Sequence, residues 1–240
     1  MKALFRRAFG FSLVPIVGIG ASFFLLPLLS KFGGPTGWVS IAVGQSFGAM
    51  AALIVTFGWT LVGPTRVAPL EVGPAKSMYV ESVRERLLLG LAVVPIATLA
   101  AYLVAPADVR FESALMALAI AITGYSPAWY WVGRGTPRRL VAYEAVPKLA
   151  ATLLAFPLLA ATQAIIWYPA LLLVGSLIGL WAFHRSEAVR TSTLIWFAPR
   201  TAWLGIGRNL TAAASVTVSG VYTSLNAGVV AATTNVAAAT

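Results

Sequence analysis

Residues 87–104 read LLLGLAVVPIATLAAYLV, and this stretch without a single charged side chain decides the fold class. An α-helix rises 1.5 Å per residue, so about 20 mostly apolar residues cross the roughly 30 Å hydrocarbon core of a bilayer. In lipid the backbone must satisfy its own hydrogen bonds, which a helix does. The sequence therefore predicts a transmembrane helix here.

Six further stretches have the same character, so we predict an all-α, polytopic transmembrane helix bundle with about seven spans. The last stretch is the weakest, because it is rich in Ala, Thr, Ser and Gly, a composition that suits a helix packed against other helices. The predicted spans are Phe11 to Leu29, Val39 to Val62, Leu87 to Val104, Ala114 to Val132, Leu140 to Ala160, Ile165 to Phe183 and Leu210 to Val236.

The composition supports a lipid-facing surface, since 59% of the 240 residues are hydrophobic and only 10% are charged. An ordinary soluble domain is about 25% charged. The net charge of +10 does not indicate nucleic-acid binding, because the basic residues are scattered between apolar runs. The absence of cysteine excludes disulfides, cysteine-bound metal and thiol catalysis. The first span lacks a signal-peptide cleavage site and is interpreted as a retained helix.

Lys and Arg alternate between the connecting segments, and this alternation predicts the orientation. The N-terminal segment and the second, fourth and sixth connections hold 14 of the 17 basic residues. We therefore predict a cytoplasmic N-terminus in the cell membrane. The 14 residues are Lys2, Arg6, Arg7, Arg66, Lys76, Arg84, Arg86, Arg134, Arg138, Arg139, Arg185, Arg190, Arg200 and Arg208.

Two further features are predicted to lie at the membrane surface. Residues 76–86 alternate apolar and charged side chains and suggest an amphipathic interfacial helix that leads into the third span. Aromatic side chains near the span ends are expected to serve as interfacial anchors. These are Trp38, Trp59, Trp129, Tyr130, Trp131, Trp167, Tyr168 and Trp181.

The ionisable residues do not indicate an enzyme, a cofactor or a metal site. Catalysis within a membrane usually needs clustered acids, histidines or metal ligands. The only histidine, His184, is predicted to lie at a helix end as an interfacial residue, and of the seven acids only Glu144 lies convincingly within a span. No phosphate-binding glycine loop is present, so nucleotide hydrolysis by this chain is not expected to power any transport.

Glu144 and Lys148 form the one ionisable pair predicted at depth, four residues apart on one helix face. Lys148 is too deep to reach the surface easily, so it should face the protein interior or an aqueous cavity. The pair is either a self-neutralising packing contact or a cationic contact for an anionic substrate. Within the spans, Gln45, Tyr125 and Ser126 are further polar groups that form either helix contacts or substrate contacts.

Three segments carry a resemblance to a known family. The first is LLPLLSKFGGPTGW at residues 25–38, and the second combines FGW at 57–59 with GPTRVA at 63–68. The third is YSPAWYWVG at residues 125–133, followed by a basic turn. In order and spacing the chain resembles the front half of the Wzx-type oligosaccharide flippases, the polysaccharide-export branch of the MOP superfamily.

The resemblance implies a two-lobe transporter, of which residues 1–208 would form the first six-helix lobe. Residues 209–240 would begin the second lobe with a seventh helix, so we expect the chain to be the front portion of a longer protein. The implied activity is movement of an undecaprenyl-pyrophosphate-linked oligosaccharide from the cytoplasmic to the outer leaflet by alternating access. The implied partners are membrane lipid, the polysaccharide polymerase and glycosyltransferases.

A pyrophosphate headgroup needs cations to enter a cavity of low dielectric constant, and Lys148 and Arg66 are best placed to supply them. Arg66 has an alternative role as an anchor on the cytoplasmic side. Two other functions stay open. The chain could export drug-like solutes, as a sister branch of the superfamily does, although acidic cavity residues would then be expected. It could also be a membrane scaffold subunit without transport activity.

Overall fold

The computed structural model describes residues 29 and 31–186, together with 205–207, 209–211 and 214–215 near the C-terminus. These residues form helices joined by short turns, and no strand occurs among them. The predicted all-α class is confirmed.

Eight α-helices lie within residues 31–186, and three short segments of other helical type join some of them; the described residues near the C-terminus are helical too. The joining segments are 3₁₀ turns at Ala107–Val109 and Ile122–Tyr125 and a π-helical turn at Val141–Ala145. The helices are α1 (31–56), α2 (Trp59–Val67), α3 (Val72–Val104), α4 (Arg110–Ala121), α5 (Ala128–Gly133), α6 (Pro137–Leu140), α7 (Val146–Thr162) and α8 (Trp167–Ser186).

Five stretches are long and apolar enough to cross a membrane, and they match the second to sixth predicted spans. They are Lys31–Val67, Val72–Val104, Ala107–Gly133, Pro137–Thr162 and Trp167–Ser186. The chain is therefore a multi-pass membrane protein. The first predicted span, Phe11 to Leu29, lies outside the described residues except for Leu29. The seventh, Leu210 to Val236, lies outside them except for four residues at its start.

Glycine pairs set the packing of these spans. Gly44 and Gly48 on α1 face Ser113 and Ala117 on α4, so closely that an added Cβ would lie 2.5 Å from the Ser113 carbonyl oxygen. Gly63 on α2 similarly receives the ring of Trp129 on α5. Small residues at such contacts let helix backbones approach. These contacts place α1 beside α4 and α2 beside α5. The span formed by α1 and α2 therefore runs parallel to the span formed by α4 and α5.

Two different cores occupy the two ends of the bundle. At the aliphatic end, where α3 joins α4 and α7 joins α8, Leu29, Ile41, Met116 and Leu159 are buried together. At the aromatic end, where α2 joins α3 and α5 joins α6, the core consists mainly of rings. Its ring members are Phe57, Trp59, Tyr79, Trp129, Tyr130, Trp131 and Phe183.

This aromatic core corrects the prediction of interfacial anchors for one group of rings. Trp59, Trp129 and Trp131 are each 2% exposed, and the rings of Trp59 and Trp129 have centroids only 4.9 Å apart. Trp129 can pack inside the protein because Gly63 on the facing helix leaves room for its ring. Trp181, by contrast, is 62% exposed and keeps an outward-facing position. Tyr130 is buried with the tryptophans, Tyr168 is buried in the aliphatic-end core, and Trp38 and Trp167 are exposed.

Residues 76–86 form a helix that leads into the third span, as predicted, but one of its faces is packed inside the protein. Those residues are part of α3, which continues without interruption from Val72 to Val104. One face of the segment is buried in the bundle through Tyr79, Ser82, Val83 and Arg86. The charged residues that suggested an interface therefore include side chains enclosed by protein.

Candidate functional site: a polar pocket at a broken helix

The span formed by α4 and α5 is broken between the two helices. After the 3₁₀ turn at Ile122–Tyr125, Ser126 adopts extended backbone angles (φ −51°, ψ 134°) and Pro127 precedes α5. Proline disfavours a helical conformation in the residue before it and has no N–H to donate. The carbonyl oxygens of Gly124 and Ser126 are therefore available to a partner outside the span.

Arg86 on α3 supplies that partner. One terminal nitrogen, Nη1, lies 3.0 Å from the Ser126 carbonyl oxygen and 3.3 Å from that of Gly124. Nε donates to the Ser82 carbonyl at 3.1 Å and Nη2 to the Ser82 hydroxyl at 3.1 Å. The side chain is 0% exposed. A buried guanidinium is tolerated where its donors are satisfied, and a cation is favourable at the negative C-terminal end of a helix such as α4.

The opposite wall of the site contains the π-helical turn between α6 and α7. Its hydrogen bond runs from the Val146 N–H to the Val141 carbonyl. Pro147 follows and cannot donate to the Tyr143 carbonyl, which explains why the regular ladder is interrupted at this point. Gly179 on α8 packs directly on the Tyr143 carbonyl, where an added Cβ would overlap it. The turn presents Glu144 toward the break in the neighbouring span.

Ser126 connects the two walls. Its hydroxyl donates to Glu144 Oε2 at 2.6 Å and accepts from the Ala128 N–H at 3.1 Å. The other carboxylate oxygen, Oε1, lies 2.9 Å from Lys148 Nζ. Arg86, Ser126, Glu144 and Lys148 thus form one continuous chain of polar contacts, called the pocket cluster below. It holds two cations and one carboxylate.

The pocket cluster borders a small, partly open cavity that offers about 20 Å³ to the centre of a water-sized molecule. The Glu144 and Lys148 side chains are 19% and 32% exposed, so both reach this space. Ser176 on α8 is 7% exposed, and its hydroxyl has no hydrogen-bond partner in the part of the chain that the structure describes. A buried hydroxyl without a partner is costly, so a bound group or water is expected to satisfy it. The lining residues that carry polar side chains are Thr123, Ser126, Tyr143, Glu144, Lys148 and Ser176.

The structure brings together only some of the predicted site residues. Glu144 and Lys148 form the expected ion pair at the cavity. Tyr125 lies on the other side of the break, with its hydroxyl against Gly90 of α3, and does not line the cavity. Gln45 is half-buried on α1 and is also absent from the cavity lining.

Arg66 lies in a second polar group at the aromatic end. Its Nη1 donates to Asn209 Oδ1 at 2.6 Å, and Asn209 Nδ2 donates to Glu85 Oε2 at 3.1 Å. The same Glu85 oxygen accepts from Trp59 Nε1 at 2.9 Å. Trp59, Arg66, Glu85 and Asn209 are called the end cluster below. Glu85 is 1% exposed, so the carboxylate of the end cluster is enclosed by protein.

Sequence reasoning missed the two buried charges on α3. It assigned Arg86 to a connecting segment and treated Glu144 as the only acid within a span, whereas Glu85 and Arg86 are both fully buried. The available signal was the spacing of Tyr79, Ser82 and Arg86, which puts a hydroxyl and a guanidinium on one helix face.

His184 lies among the rings of the aromatic end. Its Nδ1 lies 2.7 Å from the Leu180 carbonyl oxygen, and its Nε2 lies 3.1 Å from the Tyr79 hydroxyl. A carbonyl only accepts, so Nδ1 carries the proton, and in the neutral ring Nε2 accepts from Tyr79. Both ring nitrogens are therefore engaged in packing contacts at the end of α8.

Comparison with known protein families, curated proteins and solved structures gave no match for this chain.

Proposed function

We propose that the chain moves an undecaprenyl-pyrophosphate-linked oligosaccharide from the cytoplasmic to the outer leaflet of the cell membrane, as the Wzx-type flippases that it resembles do. The observation that carries the proposal is Lys148, whose ammonium group reaches a cavity between membrane-spanning helices. Ionisable side chains at such positions usually mark a path for a charged substrate. In this proposal the N-terminus is cytoplasmic.

The charges of the pocket cluster favour an anion. Arg86 and Lys148 contribute two positive charges and Glu144 one negative charge. Of these three charged side chains, only Lys148 and Glu144 reach the cavity. A bound phosphate group would therefore replace the Glu144 carboxylate as the partner of the Lys148 ammonium group. The hydroxyl of Ser176, which lacks a partner among the described residues, is suited to donate to a phosphate oxygen.

The broken span and the π-helical turn support a transport role. Interrupted helices beside a substrate cavity are a common construction in secondary transporters. Here two interruptions face each other across one cavity, and Ser126 links them. A scaffold subunit would have no evident use for this arrangement.

Binding and movement of a fluorescent polyprenyl-pyrophosphate oligosaccharide test the proposal. We expect the chain in nanodiscs to bind this probe at least about tenfold more tightly than the corresponding polyprenol, a difference of about 1.4 kcal/mol. Lys148→Ala should remove this preference. Lys31→Ala is the matched control, because Lys31 is exposed on α1, toward the aliphatic end, and should leave binding unchanged. In proteoliposomes, the same probe should become inaccessible to an external quencher.

Four results would count against the proposal. Equal binding of the pyrophosphate probe and the polyprenol would remove the evidence for headgroup recognition. Unchanged binding by a well-folded Lys148→Ala variant would exclude Lys148 as the contact. Movement of a lipophilic cation in place of the pyrophosphate probe would favour the solute-exporter alternative, and movement of neither would favour the scaffold.

A further inference from the structure

Arg86 belongs to the pocket cluster but has no access to the cavity. The side chain is 0% exposed, and Arg86 is not among the residues that line the cavity. It therefore cannot touch a bound substrate in this arrangement. Any influence on the substrate must pass through the groups that it holds.

The contacts define one route for this influence. Arg86 Nη1 holds the backbone of Ser126 by its carbonyl oxygen at 3.0 Å. A hydroxyl has one proton to donate, and Ser126 donates it to Glu144 Oε2 at 2.6 Å. With Oε2 occupied in this way, Oε1 faces Lys148 Nζ at 2.9 Å. Each contact thus fixes the next one, from α3 across the broken span to α7.

We infer that Arg86 is a positioning residue for the pyrophosphate site. By fixing the break between α4 and α5, it holds Ser126 against Glu144 and so determines where the Lys148 ammonium group stands in the cavity. This inference rests on the proposed function for the identity of the substrate, but the positioning of Lys148 can be measured without any substrate.

A purely structural role for Arg86 predicts a different outcome. Loss of Arg86 would then loosen the bundle as a whole, and every lysine would become more reactive together. A positioning role predicts a change confined to Lys148. It also predicts that removal of the Ser126 hydroxyl reproduces much of the effect, because Ser126 is the link between Arg86 and Glu144.

The experiment measures the labelling rate of each lysine by an amine-reactive reagent in nanodiscs, read by mass spectrometry. The variants are Arg86→Gln, Arg86→Lys, Ser126→Ala and the double variant Arg86→Gln/Ser126→Ala. Arg138→Gln is the matched control, because it removes the same charge from an exposed position on α6. Lys31, exposed on α1, serves as the internal reference in every sample.

We expect Arg86→Gln and Ser126→Ala each to raise Lys148 labelling about fivefold relative to Lys31, and the double variant to add little to either. Arg86→Lys should recover part of the difference, because it keeps the charge but reaches fewer carbonyls. Binding of the pyrophosphate probe should weaken about tenfold in Arg86→Gln.

Unchanged Lys148 labelling in a folded Arg86→Gln variant would overturn the inference, as would a parallel rise of Lys148 and Lys31 or fully additive effects in the double variant. The two proposals fail separately. If no variant binds the pyrophosphate probe but Lys148 labelling still responds to Arg86, the substrate is wrong and the positioning role stands. If binding depends on Lys148 but not on Arg86, only the positioning role fails.

Discussion

The end cluster and the pocket cluster each contain a carboxylate on a membrane-spanning helix, yet the two carboxylates are held in different ways. Glu85 is 1% exposed and accepts hydrogen bonds from Trp59 and Asn209 within a core of aromatic rings. Glu144 is 19% exposed at a cavity and shares its two oxygens between Ser126 and Lys148. The first carboxylate is enclosed, and the second can exchange partners.

This difference separates the stability of the protein from its proposed activity. Contacts within the enclosed region contribute mainly to folding, because their polar groups have no alternative partner once water is excluded. Contacts at the cavity can be replaced by water or by a substrate group, so their loss costs less stability. Substitutions in the two regions should therefore have opposite profiles of stability and binding.

The largest expected effect is the loss of a ring from the aromatic end. Trp129→Ala should lower the free energy of unfolding by about 3–5 kcal/mol, because the side chain is 2% exposed and fills the space above Gly63. Trp181→Ala is the control, since that ring is 62% exposed, and it should change stability little. Far-UV circular dichroism during denaturation in mixed micelles measures both, and equal losses would contradict the burial of Trp129.

The next largest loss of stability is expected when a methyl group is added at a tight helix contact beside the cavity. Gly179→Ala is expected to cost about 1–3 kcal/mol, because its Cβ would overlap the Tyr143 carbonyl and force α8 away from the π-helical turn. At Gly73, near the start of α3, an added Cβ meets nothing within 4 Å, so Gly73→Ala should not destabilise. The same denaturation experiment compares them, and a stable Gly179→Ala variant would show that this helix contact is loose.

The two carboxylates allow a direct test of the comparison. Glu85→Gln should cost about 1–3 kcal/mol of stability, because a neutral amide oxygen accepts more weakly from Trp59 and Asn209 than a buried carboxylate does. Glu144→Gln should cost less than about 1 kcal/mol, since Lys148 can be solvated through the cavity. It should also strengthen binding of the pyrophosphate probe about threefold by removing a competitor for Lys148. A larger loss of stability in Glu144→Gln than in Glu85→Gln would contradict the distinction between the clusters.

Ser176→Ala should have the smallest effect on stability. The hydroxyl has no partner among the described residues, so its removal is expected to leave stability unchanged or raise it by about 0.5 kcal/mol. Binding of the pyrophosphate probe should weaken two- to threefold if the hydroxyl meets a phosphate oxygen. Thermal denaturation and probe titration on one sample distinguish these outcomes, and a clear loss of stability would show that the hydroxyl has a structural partner.

The spans that fall within the described residues were predictable, because long apolar runs bounded by charges have few other solutions. The pair of Glu144 and Lys148 was predictable for a similar reason, since both lie on one helix and their spacing alone brings them together. Arg86 was not. A count of basic residues places it at a membrane surface, and only the break at Ser126, a feature of a different span, provides the carbonyls that make its burial possible.

The tryptophans show the same limit. Aromatic residues near a span end are equally compatible with the membrane surface and with the protein interior. Which one applies to Trp129 depends on Gly63, a residue 66 positions earlier in the chain. A single sequence gives no indication of that pairing, whereas the structure shows it directly.

One consequence concerns motion. The helix of the first described span is interrupted at Phe57 and Gly58, both with positive φ, and its neighbour is interrupted at Ser126 and Pro127. The two interruptions lie at the same level, because Trp59 and Trp129, just beyond them, are in contact with ring centroids 4.9 Å apart. Since α2 and α5 also pack on each other, we expect the two segments beyond the interruptions to tilt together. For a helix as long as α2, a tilt of about 10° would displace the far end by about 2 Å. Arg86 holds the Ser126 carbonyl at this level, so such a tilt is expected to shift the Ser126 hydroxyl relative to Glu144.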